Sequence, residues 1–164
     1  MSRVEREVDV ERTLAIDVRS PAGHLGVKTD FVQRDVLSPL GSVFDKHGIE
    51  AVAHLAFVVR SGHHRQAAYR TNVDGVRNVL VACEEAEVKR IVYLSSSTVY
   101  GAHADNPERL TEDLTPRPNR GFPYSEHKLE AERLLLEFAD RNPSVDVTVL
   151  RACPVLGPDA DNHV

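Results

Sequence analysis

The sequence predicts an α/β fold built on a parallel sheet, and three observations predict it. Short apolar, β-branched runs recur along the chain, longer segments of helical period separate them, and the middle runs are apolar on both faces, as strands buried in a parallel sheet are. The alternation implies helices on both faces of that sheet. A chain of 164 residues suits one domain and can bury roughly two thirds of the surface its unfolded form exposes.

The strands fall at residues 13–18, 29–33, 50–59, 90–95 and 145–151, with helices filling the gaps. The clearest helix covers 66–85, where Tyr69, Val73, Val76, Leu80 and Cys83 recur at spacings of three and four and form one apolar face. A second runs from 125 to about 141, with Leu129, Leu134, Leu135 and Phe138 on its core side. Between the last two strands, residues 102–122 are rich in Pro, Asn, Asp and Gly and read as a long surface loop, which in such a fold is more often functional than idle.

Composition removes several function classes. A net charge of −5 gives no electrostatic reason to expect a nucleic-acid partner. The two cysteines, Cys83 and Cys153, each lie in an apolar stretch and read as reduced core residues, which leaves neither a disulfide framework nor a four-cysteine zinc site. The histidines His24, His47, His63, His64, His103 and His163 show no metal-ligand spacing, and His54, inside an apolar strand, reads as a satisfied core or turn residue without chemistry. Residues 1–12 are charged throughout and no run approaches membrane-spanning length, so the expectation is a cytoplasmic protein with no membrane partner.

The most informative spacing is Tyr124-Ser125-Glu126-His127-Lys128, because residues four apart on a helix share a face one turn from each other. A phenol with an ordinary pKa of about 10 is a poor base near neutrality, and a neighbouring ammonium favours its phenolate. Read alone, the pair is more often a solvated surface feature. Upstream, an apolar strand from Ile91 breaks at its C-terminal end into Ser95-Ser96-Ser97-Thr98, followed by Val99-Tyr100-Gly101. Ligands of open α/β sheets bind at that end. Such hydroxyls either hydrogen-bond a substrate oxygen or satisfy their own backbone, and the sequence alone balances the two.

Taken together, this strand, the loop and the Tyr124–Lys128 pair resemble the extended short-chain dehydrogenase/reductase family of NAD-dependent epimerases and dehydratases, over nearly the whole chain. The resemblance implies a partial Rossmann-type, doubly wound parallel sheet in a single incomplete domain over 1–164, acting on a small molecule with NAD as cofactor. It assigns the catalytic hydroxyl to Ser96, the acid/base to Tyr124, and to Lys128 the lowering of the tyrosine pKa together with binding of the nicotinamide ribose. Ala53-His54-Leu55-Ala56 looks like the family's cofactor-contacting turn, which places Leu55 and Ala56 against the cofactor. Thr71-Asn72-Val73-Asp74-Gly75 opens the long helix as the family's Asn-Val-x-Gly segment does, which adds Asn72. Gln33-Arg34-Asp35-Val36 resembles the turn that holds the adenine, through Asp35 and Val36. Asp17 sits where the family places the acid on the adenosine ribose, and its charge favours NAD over NADP.

The chain also departs from the pattern. Nothing before Asp17 supplies the family's first strand and glycine-rich turn, and 1–11 reads instead as the end of a helix leading into the next strand. Without a central strand, either its two neighbours close together or an edge stays exposed. The segment Leu150 to Pro158 resembles the family's Arg-Pro-x-Asn-Val-Tyr-Gly-Pro, with Pro154 for the substrate-binding Asn and Leu156 for the Tyr, and most of the substrate domain is absent. Ser97-Thr98 replaces the Asp-Glu pair of sugar dehydratases, so epimerase or alcohol dehydrogenase chemistry remains. The alternatives are a catalytically inactive remnant or binding module, and an enzyme completed by another chain. The resemblance also carries the expectation of a homodimer, through a four-helix bundle made by helices 66–85 and 125–141.

Overall fold

The computed structural model describes residues 7, 9–59, 62 and 64–154. In chain order the elements are β1 (Thr13–Asp17), β2 (Thr29–Gln33), α1 (Gly41–His47), β3 (Ala51–His54), α2 (Arg65–Tyr69), a π-helical turn (Arg70–Asp74), α3 (Gly75–Glu85), β4 (Arg90–Ser96), a 3-10 turn (Ser97–Tyr100), α4 (Pro123–Arg141) and β5 (Asp146–Ala152). Every strand pairing is parallel, and each predicted strand is present. The α/β class holds. The sheet is divided, however: β1 pairs with β2, while β3, β4 and β5 form a separate sheet in that order. Of the two outcomes open to the sequence, the strands on either side of the gap do not close together.

The larger of two buried clusters among the described residues holds the layers. Ile91 and Tyr93 of β4 pack with Val76, Val79, Leu80 and Cys83 of α3, with Ala131, Leu135 and Phe138 of α4, and with Leu40 and Phe44 at α1. Ile16 of β1 and Val52 of β3 lie against the same cluster. Alternation along the strands sends the other set of side chains the opposite way. There Ala51 and Ala53 are exposed, as are Leu94 and Leu150 at 39% and 48%. The described helices therefore cover one face of the three-stranded sheet, not the two that the apolar strands led us to expect. Cys83 is buried as predicted. Cys153 is exposed, because it lies just past the last paired residue of β5 and leaves the sheet.

Two further differences matter for the site. The strand predicted over 50–59 stops at His54, where its pairing with Tyr93 of β4 ends, and 55–59 continue as a loop. Apolar composition extended the reading because 55–59 are apolar too, although only Ala56, Phe57 and Val58 are partly buried while Leu55 and Val59 are exposed. Glu7 and residues 9–12 are not helical. Lys28 Nζ donates to Val10 O at 2.8 Å and Arg12 pairs with Asp30, which ties this lead-in alongside β2. Residues 155–158, including Leu156, lie outside the described residues. Between α2 and α3 the helix relaxes into the π turn, a feature frequent at functional sites. Gly75 follows it, and a Cβ there would stand 2.7 Å from Val36 Cγ2, so glycine lets the helix close on the turn after β2.

Candidate functional site

The chemistry gathers at the C-terminal ends of β3 and β4, where α4 begins. Pro123 opens α4, and Tyr124 and Lys128 follow on its first two turns. Lys128 is 5% exposed. Its Nζ donates to Leu94 O at 2.6 Å and lies 3.8 Å from the Phe57 ring centroid, 4.9 Å from that of Tyr93 and 5.9 Å from that of Tyr124. Phe57 also meets Tyr124 edge-on at 5.2 Å, so one aromatic ring of the 55–59 loop touches both members of the pair. Burial pushes the Lys128 ammonium down to about 8, and the Glu132 charge opposes the shift.

Ser96 is 7% exposed at the end of β4. Its Oγ caps the 3-10 turn, accepting from Thr98 N at 3.3 Å and from Thr98 Oγ1 at 3.0 Å. Because Ser96 is the acceptor in both, its own proton remains available to donate. Ser95 points the other way and donates to Glu132. Of the alternatives weighed for these hydroxyls, the backbone-satisfying one is realised at Ser96, and it leaves a donor over.

Glu132, 1% exposed and one turn beyond Lys128, was not singled out from the sequence. Arg151 of β5 grips it through Nη2 at 2.8 Å and Nε at 3.2 Å, and donates through Nη1 to the Tyr100 hydroxyl at 2.6 Å. Tyr100 in turn donates to Thr111 O at 3.0 Å. The i+4 spacing of Glu132 from Lys128, on a helix whose neighbouring positions are apolar, was the available signal for it. For Phe57 the signal was masked, since a phenylalanine in an apolar run reads as core.

His54 is buried, and its imidazole is pushed down to about 4, first by burial and then by Lys128, against a backbone hydrogen bond with Ala56. It stacks on Tyr93 at 5.8 Å, and both His54 Nε2 and the Tyr93 hydroxyl are buried without a hydrogen-bond partner. The core reading of His54 stands, though it is incompletely satisfied. Asn72 is 1% exposed; its Oδ1 accepts from Val58 N at 2.7 Å and its Nδ2 donates to Val58 O at 3.0 Å. The same Nδ2 lies 3.2 Å from His127 Nδ1. Asn72 thus pins the loop that carries Phe57, and its amide is engaged with protein.

The other predicted cofactor residues lie on the strand ends and turns around this centre. Asp17 ends β1 and is exposed, its Oδ1 accepting from Arg19 N at 2.8 Å. Asp35 caps the turn after β2 by accepting from Leu37 N at 2.9 Å, and Val36 O accepts from Asn78 Nδ2 at 2.6 Å. Leu55 is 66% exposed and Ala56 is half-buried, both just past β3. No group of metal-ligating side chains occurs among the described residues.

Residues 4–164 match the NAD dependent epimerase/dehydratase family. The chain belongs to that family. A UDP-glucose 4-epimerase of Erwinia amylovora is 35% identical over 131 residues, covering 77% of this chain and 38% of the relative. A 3beta-hydroxysteroid-dehydrogenase/decarboxylase of Arabidopsis thaliana is 28% identical over 158 residues, 93% of this chain and 36% of the relative. Among solved structures, MoeE5 in complex with UDP-glucuronic acid and NAD superposes with a TM-score of 0.75 at 33% identity, over 96% of this chain and 54% of that one. The chain spans less than half the length of the curated relatives it matches.

Asp17 presents an exposed carboxylate at the end of β1, a group able to accept from a diol. The Lys128 ammonium has one of its three protons committed to Leu94 O.

Proposed function

We propose that this domain is the NAD-binding and acid–base portion of an epimerase or dehydrogenase that oxidises a secondary alcohol, with nucleotide sugars as the first substrate class to test. One observation carries the reading: Tyr124 and Lys128 share a helix face at the C-terminal end of β4, with the Ser96 hydroxyl at the same strand end. NAD, when bound, supplies the hydride acceptor. Asp17 would hold the adenosine ribose, the Asp35–Val36 turn the adenine, Leu55 and Ala56 the path between, and Lys128 the nicotinamide ribose. Tyr124 Oη takes the substrate hydroxyl proton, Ser96 donates to the same oxygen and orients it, and Lys128 stands one turn along the same helix face, its Nζ 5.9 Å from the Tyr124 ring centroid.

The UDP-glucose epimerase and the UDP-glucuronic acid complex among the relatives support a nucleotide sugar. The steroid dehydrogenase and Pro154, which offers no amide, support another secondary alcohol. Dimerisation through the outer faces of α3 and α4 belongs to the same reading and is supported by exposed Val81 and Leu136, at 51% and 55%. A second reading, a binding module without catalysis, is favoured by the burial of Lys128 beneath Phe57.

Calorimetric titration with NAD and absorbance of reduced nicotinamide in the presence of UDP-glucose or a sterol alcohol separate the readings. The expected result is NAD binding together with alcohol-dependent reduction. Tyr124→Phe should keep the binding and lose turnover by roughly 10²-fold or more. A cooperatively folded chain that does not bind NAD overturns the enzymatic reading.

A further inference from the structure

We propose that Glu132 is a positioning residue for this site, joining α4 to the ends of β4 and β5 so that Lys128 is held, charged, at the Ser96 strand end. The inference rests on the acid–base reading of Tyr124 and Lys128 given above. Tyr124, Lys128 and Glu132 follow one another at four-residue intervals along a single face of α4. Without a fixed partner, a helix end bearing two of these groups could rotate or slide by the ångström that separates a productive from an idle geometry.

The carboxylate supplies that partner in two directions. On β4 it accepts from Ser95, the residue next to Ser96 and next to Leu94, whose carbonyl receives Lys128. On β5 it takes the two-pronged grip of Arg151, a geometry that fixes direction as well as distance. Arg151 passes the register on to Tyr100 and so to Thr111 in the loop that follows the Ser-rich strand end. The fourth side chain in this layer, Lys128, is surrounded by His54 from β3, Tyr93 from β4, and Tyr124 and Glu132 from α4. His54 is neutral at physiological pH, so Glu132 is the negative charge that keeps the buried ammonium from shedding its proton.

The experiment follows the Lys128 side chain by pH titration with nuclear magnetic resonance, and in parallel the affinity for NAD between mildly acidic and mildly alkaline pH, in wild type and Glu132→Gln. In wild type the lysine is expected to titrate near 8. In Glu132→Gln its midpoint falls by about one unit, a tenfold change in the ammonium's acid dissociation constant. NAD affinity then drops at neutral and alkaline pH and recovers as the pH is lowered, and Glu132→Asp, which keeps the charge, restores part of it.

Should the single variant fail to melt cooperatively because Arg151 is left unpaired, Glu132→Gln combined with Arg151→Gln is compared with Arg151→Gln alone, so that the two proteins differ only in the Glu132 charge and the fall in the Lys128 midpoint is read between them. An unchanged Lys128 midpoint, or an affinity loss equal at every pH, overturns the proposal and leaves Glu132 as a packing residue. If wild type binds no NAD, the acid–base reading fails separately, while the lysine titration still decides the role of Glu132.

Discussion

The two sheets of this domain are built to different standards. In the β3–β4–β5 layer, Ile91 and Tyr93 are at most 1% exposed, the buried carboxylate of Glu132 is paired with the partly buried Arg151, and α3 and α4 pack over one face. In the β1–β2 layer no residue of either strand is fully buried, and the ion pair nearby, Arg12 with Asp30, is solvent-exposed. The deep layer carries the groups proposed to move protons, and the shallow layer carries Asp17 and leads into the Asp35 turn, which are proposed only to hold a ligand. Proton chemistry needs low dielectric and fixed geometry to shift pKa values, whereas a carboxylate that grips a ribose works at the surface.

The largest effect that would break this comparison is thermodynamic. Phe138→Ala empties a fully buried site where α4 meets the core and should cost about 3–5 kcal/mol in denaturant unfolding. Phe31→Ala on half-buried β2 should cost about 1–2 kcal/mol, since less apolar area returns to water. Equal losses would show that the two sheets share stability in a way their separate pairing does not suggest.

The next effect depends on pH and belongs to the deep layer alone. His54 has its folded pKa near 4, below the ordinary histidine value of 6.5, so between those values the unfolded state binds the proton first. Its contribution is fully present above 6.5 and is lost as the pH falls towards 4, by up to about 3 kcal/mol at roughly 1.4 kcal/mol per unit. Subtracting the stability–pH curve of His54→Gln from that of wild type should isolate this slope. A flat difference curve would mean that His54 is charged or solvated in the folded protein.

The same contrast accounts for what the sequence disclosed. The deep layer was legible because its strands are apolar runs, although the described helices cover only one of their faces, and because α4 repeats its core positions at three and four while placing Tyr124 and Lys128 on one face. Strand 13–17 and strand 29–33 were also found, being β-branched runs between turns. What escaped was non-periodic or polar. The end of β3 at His54 is set by where pairing with β4 stops, which no composition encodes, so Phe57 was read into a strand when it lies over Lys128. Glu132 and Arg151 are 19 residues apart, so although the i+4 spacing from Lys128 placed Glu132 on the site face of α4, nothing local in the sequence named Arg151 as its partner. Asn72 was singled out by resemblance as a cofactor residue, while its amide grips the backbone of Val58, a contact 14 residues away along the chain.

The smallest effect sharpens the comparison from the shallow side. Asp17→Asn keeps an oxygen that can accept from Arg19 N, so the local turn and the melting temperature should stay nearly unchanged, within about 0.5 kcal/mol. What is removed is one negative charge at the end of β1. If Asp17 accepts from a ribose diol, a charged acceptor becomes a neutral one at a surface site, a change worth about 1 kcal/mol, or several-fold in NAD affinity. The carboxylate also repels a 2′-phosphate, so affinity for NADP should rise in the variant while that for NAD falls. Parallel calorimetric titrations with the two dinucleotides read the ratio directly, and it is insensitive to any uniform loss from altered folding. A ratio that does not move would remove Asp17 from the ligand's path, whereas a ratio that narrows while stability holds would place ligand selection in the shallow sheet, separate from the acid–base layer.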